Sequence, residues 1–338
     1  MRFGPPILDW LVYAGVRLYC MAAQMFPIDT NLRTARWIGT LWFHLISRHR
    51  ERAKQHLRLA YGPVLSEKDA DRLARRSMQQ MVMMAVEVLF TPRLISEWTW
   101  PRYVRLNRLA EAVEVLLDRR GAILLTGHYG NWELIGYVLS CLGFRMTAVM
   151  RPLDNPYLNG YLMSHRQKRG LDLLYKKGAT QTAEDILCAG GILGFIADQN
   201  AGHKGLFVDF FGQKASTYKS IGLLAIRHDV PIIVGYARRL SDRFEYEIGV
   251  TRIIRPSEWK GRPDELMWIT QEYTRAIEEF VRAAPEQYLW IHRRWKSRPP
   301  DRSLTGPNRP AGGEPLTRSA ISAPGPAGPA TIRDALPA

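Results

Sequence analysis

The chain of 338 residues is long enough to bury a full core, and it carries a formal net charge of +15. Such an excess of cations asks for an anionic partner: nucleic acid, anionic lipid headgroups or an acidic protein. Ten tryptophans and fourteen tyrosines favour a membrane interface over nucleic acid, because amphipathic rings settle at headgroup level. Three widely spaced cysteines, Cys20, Cys141 and Cys188, form neither a disulfide framework nor a metal-ligand pattern, which fits a reducing cytoplasm. No metal is expected.

Residues 7–26 are mostly apolar but broken by Asp9, Arg17 and Gln24. A run of about twenty residues could span a bilayer, yet charges at that depth are costly. The segment reads as a helix in the membrane interface or a marginal anchor, with an ordinary amphipathic helix packed on the domain as the alternative. A second amphipathic piece covers 37–46. The basic run from Arg48 to Arg58 follows, either a solvated helix face or a surface for an anionic leaflet.

Residues 51–118 read as several helices, with apolar residues at helical spacing in 81–89 and 109–117. From Gly121 strands and helices alternate. Strands are predicted at 122–125, 145–150, 172–175, 194–197, 231–237 and 244–250. Helices are predicted at 132–142, 159–169, 182–188, 218–228 and 264–283, the last stopped by Pro285. Residues 199–217 read as a loop. The expected fold class is α/β, a mostly parallel central sheet with helices on both faces. Three regions are expected: a membrane-associated helical segment at 1–48, the α/β domain at 49–300, and a disordered Pro/Gly/Ala-rich tail at 301–338.

The most informative segment is Gly121-Ala-Ile-Leu-Leu-Thr-Gly-His128-Tyr-Gly-Asn-Trp-Glu133. A buried strand ends in a glycine-flanked turn holding His128. Asn131 is then predicted to cap the following helix. Five residues of continuous helix would rotate His128 and Glu133 by about 500°, onto different faces. They meet only if a turn intervenes, which Gly127 and Gly130 can supply. A carboxylate on one imidazole nitrogen fixes the tautomer and raises the basicity of the other, as suits a base for a hydroxyl.

Further motifs follow in order: Arg151-Pro-Leu-Asp-Asn-Pro156, then Arg166 one helix later, then Asp198-Gln199-Asn200 at a strand end. Val208-Asp-Phe210-Phe211-Gly212 comes next, followed by the aromatic and basic segment from Trp290 to Pro299. Phe210 and Phe211 read as core or as a wall of an acyl groove. His292 to Arg298 reads as a headgroup contact or a packed C-terminal strand.

Taken together, these segments resemble the bacterial lipid A biosynthesis acyltransferase family, whose relatives include phosphatidylinositol mannoside acyltransferases. The resemblance covers about residues 5–300. It implies a glycerolipid acyltransferase-like enzyme at the cytoplasmic face of the inner membrane. Such an enzyme moves a fatty acyl group from acyl carrier protein or acyl-coenzyme A to a glycolipid hydroxyl, with no cofactor beyond the thioester. It implies His128 and Glu133 as the catalytic dyad and a functional need for Arg166 and Asp198. Asn131 and Arg151 are expected to join these two at the substrate. The tetrahedral oxyanion would take donors from helix amides near Asn131 or from Arg166. Other acceptors, such as a phosphatidylinositol mannoside or a lysophospholipid, stay open. So does a non-catalytic, basic membrane-binding protein. A G-x-S-x-G elbow, H-E-x-x-H, a P-loop and a complete G-x-G-x-x-G are all absent from the sequence.

Overall fold

A computed structural model describes residues 6–150, 152–167, 171–175 and 179–299. Arg151 and the tail at 301–338 lie outside the described residues. The chain opens with α1 (Pro6–Gln24), α2 (Ile28–Leu45), α3 (Ser47–Tyr61) and α4 (Glu67–Leu94). It continues through β1 (Val104–Asn107), α5 (Ala110–Leu117), β2 (Ala122–Thr126), α6 (Glu133–Cys141), β3 (Met146–Met150) and α7 (Pro156–Gln167). Then come β4 (Leu171–Tyr175), α8 (Ala179–Cys188), β5 (Ile192–Ile196), β6 (Leu206–Phe210), β7 (Gln213–Thr217) and α9 (Ser220–His228). The described part closes with β8 (Ile232–Arg239), β9 (Tyr246–Ile254), α10 (Pro256–Trp259) and α11 (Glu265–Ala283).

Seven strands form one sheet in the order β1-β9-β8-β2-β5-β3-β4. From β8 through β4 all neighbours run parallel, while β9 is antiparallel to β8 and carries β1 parallel to itself. The expected mostly parallel sheet with helical cover is therefore present. β9 reverses because residues 240–245 are too short a connection for a crossover. Every residue of β2 is buried, as a strand covered on both faces requires. Its alternate side chains divide between two cores. Ile123 and Leu125 join Leu187, Ile221 and Phe280 from α8, α9 and α11. Ala122 and Leu124 join Leu116, Ile135 and Val138 from α5 and α6.

Two strand features escaped the sequence reading. β1 lies within a stretch that reads as helices. The expected loop 199–217 contains the β6–β7 hairpin, turned by Phe211 and Gly212 at φ 53° and 69°. Two consecutive positive φ values make the type I′ turn that matches strand twist. Phe-Gly is not the usual Asn-Gly signal for it. Phe210 and Phe211 are both buried in the first core, which resolves their role as packing. The segment 290–299 forms turns rather than the strand considered for it.

Among the described residues no helix is long and apolar enough to cross a membrane. α2 packs along α4 through a buried stripe of Leu32, Ala35, Gly39 and Phe43. Gly39 makes that approach possible, since a Cβ there would stand 2.5 Å from the Gln79 Cα. Gly39→Ala should therefore lower stability by about 1–3 kcal/mol, read as a lower denaturant midpoint. An unchanged midpoint would mean that α2 does not pack on α4 in solution.

Candidate active site

Strands β2 and β5 are hydrogen-bonded in register, Thr126 opposite Ile196. The pairing runs one step further, with Ala197 N donating to Thr126 O at 2.9 Å. The next residues on the two chains are His128 and Asp198, both at the carboxyl ends of parallel strands, where open α/β sheets gather ligands. His128 Nδ1 lies 2.7 Å from Asp198 Oδ1, and the His128 backbone N–H donates to Asp198 Oδ2 at 3.0 Å. The carboxylate is 2% exposed and the imidazole 16%, so the acid is sealed while the ring reaches the surface. Asp198 accepts a hydrogen bond from Nδ1–H, which leaves Nε2 as the unprotonated nitrogen. That nitrogen faces the Gln199 side-chain amide at 3.3 Å.

The charges are strongly coupled. Burial works to lower the His128 pKa, but the adjacent Asp198, by charge and hydrogen bond, carries it above the ordinary 6.5. Burial acts to raise Asp198. The charge and the hydrogen bonds of His128 prevail there, with help from His292, and bring it down to about 2. His292, whose Nε2 accepts from Asn200 N at 3.3 Å, is pushed down to about 4, chiefly by burial.

This geometry corrects the expected pairing of His128 with Glu133. The turn does form, with Gly130 at φ 54°. However, it brings the Trp132 ring against the imidazole, centroids 5.0 Å apart, and directs Glu133 toward α7. There Arg166 Nε donates to Glu133 Oε2 at 2.9 Å and its Nη2 to Oε1 at 2.5 Å. The pair is a bidentate fork. Sequence proximity within a loop lost to the register of two adjacent strands.

Asn131 is also corrected. Its side chain does not cap α6 and is fully buried, donating from Nδ2 to Glu87 Oε2 at 2.9 Å. Its backbone N–H goes to Ala237 O at 3.1 Å. Neither group is free for substrate or oxyanion. The acid that receives Asn131 was not singled out from the sequence. Glu87 is fully buried on α4, bound to Arg239 Nη2 at 2.6 Å and to the Tyr246 hydroxyl at 2.5 Å. An acid inside an apolar methionine-rich helix was the available signal. The loop is held on its other side by Gly130 N to Gln287 O and Leu289 N to His128 O, both 3.1 Å. A Cβ at Gly130 would lie 1.9 Å from Ala237 O.

An apolar cavity of about 210 Å³ has Trp132, Glu133 and Arg166 in its lining, and the Trp132 ring, which meets the imidazole, links it to His128. Leu124, Ile135, Gly136, Met146, Leu171 and Phe195 line its interior. A wider cleft of about 420 Å³ lies between α1 and α7 around Tyr13, Arg17 and Tyr161. Its lining has no carboxylate, whereas the smaller cavity has Glu133 and Arg166 in its lining. Arg294 is buried, donating to Ser216 O and Thr217 Oγ1 at 2.5 Å. It braces the loop after β5 rather than meeting solvent.

The family model for bacterial lipid A biosynthesis acyltransferases matches residues 6–297. The chain belongs to that family. It is an acyltransferase. It is 24% identical over 298 residues to the lipid A biosynthesis palmitoleoyltransferase of Escherichia coli K12, covering 86% of this chain and 92% of that protein. It is 23% identical over 301 residues to the lauroyltransferase of the same organism, with the same coverage. A lipid A biosynthesis acyltransferase of Haemophilus influenzae is 22% identical, covering 83% of this chain and 86% of its own length.

A base must be neutral to accept a proton. With the His128 pKa raised above 6.5, kcat/KM should climb with pH along a limb centred above that value. Asp198→Asn removes the raising contribution, so the limb should move to lower pH while the plateau rate falls about 100- to 10,000-fold. A pH–rate profile checks both effects. A limb that stays in place would separate Asp198 from the titrating base.

Proposed function

We propose that this acyltransferase moves a fatty acyl group from a thioester, on acyl carrier protein or coenzyme A, to a hydroxyl of a lipid A precursor. The observation that carries the reading is an oriented histidine–carboxylate pair whose imidazole meets Trp132, a residue lining an apolar cavity. The cavity suits a hydrocarbon chain, and the pair suits a hydroxyl nucleophile. The printed names of the relatives supply the acceptor class.

In this mechanism His128 Nε2 takes the proton as the acceptor oxygen attacks the thioester carbonyl. Asp198 stabilises the imidazolium that forms. The tetrahedral oxyanion collapses, the C–S bond breaks, and the departing thiolate takes the proton back from His128. Gln199 Nε2, beside His128 Nε2, is aimed where a donor to the oxyanion is needed. Glu133 and Arg166 hold the head of the acyl chain at the cavity mouth. Replacing Arg166 by Lys would keep the charge but lose the fork.

Access to a lipid substrate requires an interface, and the N-terminal helices offer one. Ile7, Leu18, Met25, Phe26 and Trp37 are more than half exposed, an apolar surface of the kind that enters the headgroup boundary. The proposed location is the cytoplasmic face of the inner membrane. Incubation of the purified chain with an acyl thioester and a lipid A precursor should add one acyl chain, seen by mass spectrometry. His128→Ala should lower that rate about 100- to 10,000-fold. Near-normal turnover in His128→Ala would sink the mechanism, and transfer only to a different lipid would sink the acceptor.

A further inference from the structure

Helix α3 carries two sets of cations, and they meet different fates. Lys54 is 2.6 Å from Asp71, and Arg58 is 2.7 Å from Glu67. Arg48 and Arg52, one turn apart on another face, have no hydrogen bond or ion pair to a carboxylate among the described residues. His56 continues that face by one more turn, a rise of about 6 Å. Its Nδ1 donates to Trp290 O at 2.7 Å, and its ring meets Trp295 at 5.5 Å. That anchor brings Arg293, exposed and likewise without a carboxylate among the described residues, to the same place. Burial first, then the charges of Arg293 and Arg48, lower the Arg52 pKa. Glu51, the acid between Arg48 and Arg52 in the chain, is paired with Arg50 at 3.0 Å, so the three guanidiniums share this place with no carboxylate bound to any of them. Unscreened like charges are unfavourable until an anion joins them.

The cluster adjoins the active site. Arg293 follows His292, which accepts from Asn200 two residues past Asp198. It also adjoins the lipid boundary, since α3 begins directly after Leu45 and Ile46, which are 68% and 43% exposed. Building on the acceptor proposed above, we propose that Arg48, Arg52 and Arg293 form a binding site for a phosphate monoester on the acceptor headgroup. Planar guanidiniums present paired donors to phosphate oxygens. A phosphate held there fixes one end of the headgroup and leaves a hydroxyl further along to reach His128. The position at the edge of exposed apolar surface favours a lipid-borne phosphate over one carried by a soluble donor.

The test compares the wild-type chain with an Arg52→Gln/Arg293→Gln variant. The probes are a bisphosphorylated lipid A precursor and the same glycolipid after phosphatase treatment, both in detergent. Arg75→Gln/Arg120→Gln serves as the charge-matched control. The cluster variant should raise KM for the phosphorylated acceptor about 10- to 100-fold, with kcat, the donor KM and the KM for the dephosphorylated acceptor near wild type. The control should change none of these. Titration of the phosphorylated glycolipid, followed by tryptophan fluorescence, reads the same loss of affinity without turnover. Equal losses on both acceptors would overturn the proposal. A raised donor KM would reassign the cluster to the donor. Losses that track binding to phosphatidylcholine–phosphatidylglycerol vesicles, shared by the control, would reduce it to general surface charge. If wild type acylates neither glycolipid, the acceptor reading fails, while the titration still decides whether the cluster binds phosphate.

Discussion

The register between β2 and β5 is the constraint from which the site follows. Two adjacent parallel strands end on the same line, and each continues by two residues into a loop. Those residues are His128 and Asp198, 2.7 Å apart. A shift of one residue in either strand would exchange inward and outward faces along its whole length. Ile123, Leu125 and Leu193, all fully buried, would then turn to the opposite face. Packing of both cores therefore fixes the distance between His128 and Asp198. The geometry of the candidate site and the stability of the sheet rest on the same hydrogen bonds.

The loop that carries His128 has no regular structure of its own, so its shape depends on the groups around it. Asp198 takes the His128 amide, Ala237 takes that of Asn131, and Gln287 takes that of Gly130. Beneath them Glu87, Arg239, Asn131 and Tyr246 form a buried polar network inside an otherwise apolar core. A buried charge pair adds little net stability, but removing one partner typically costs about 3–5 kcal/mol. Its consequence here is geometric. Asn131 is tied to α4, so the start of α6 and with it Glu133 hold one orientation relative to the sheet. The Glu133–Arg166 pair can then close over the cavity without reaching the imidazole.

Charge and apolar surface are arranged for a substrate that is amphipathic. The apolar cavity is lined by Trp132 and Glu133 at the end of the loop that carries His128, and the exposed apolar residues lie on α1 and α2. The excess of +15 is thus not spread evenly in effect. Lys54 and Arg58 are neutralised by acids on α4, whereas Arg48, Arg52 and Arg293 have no carboxylate partner among the described residues.

Local pattern determined a large part of this protein. The buried run at β2, the long amphipathic α11 and the strand–helix alternation were all legible, because each depends on neighbours within a few residues. His128 was legible too, since a polar residue on a glycine-flanked turn after an apolar strand has few other places to be. Its partner was not. Asp198 lies 70 positions away, and its adjacency depends on β5 rather than β3 being the neighbour of β2, which no periodicity reports. The same reason hid the burial of Asn131 against Glu87. Side-chain type and spacing set which groups could do chemistry. Strand order and register, fixed only when both cores close, decided which of them meet.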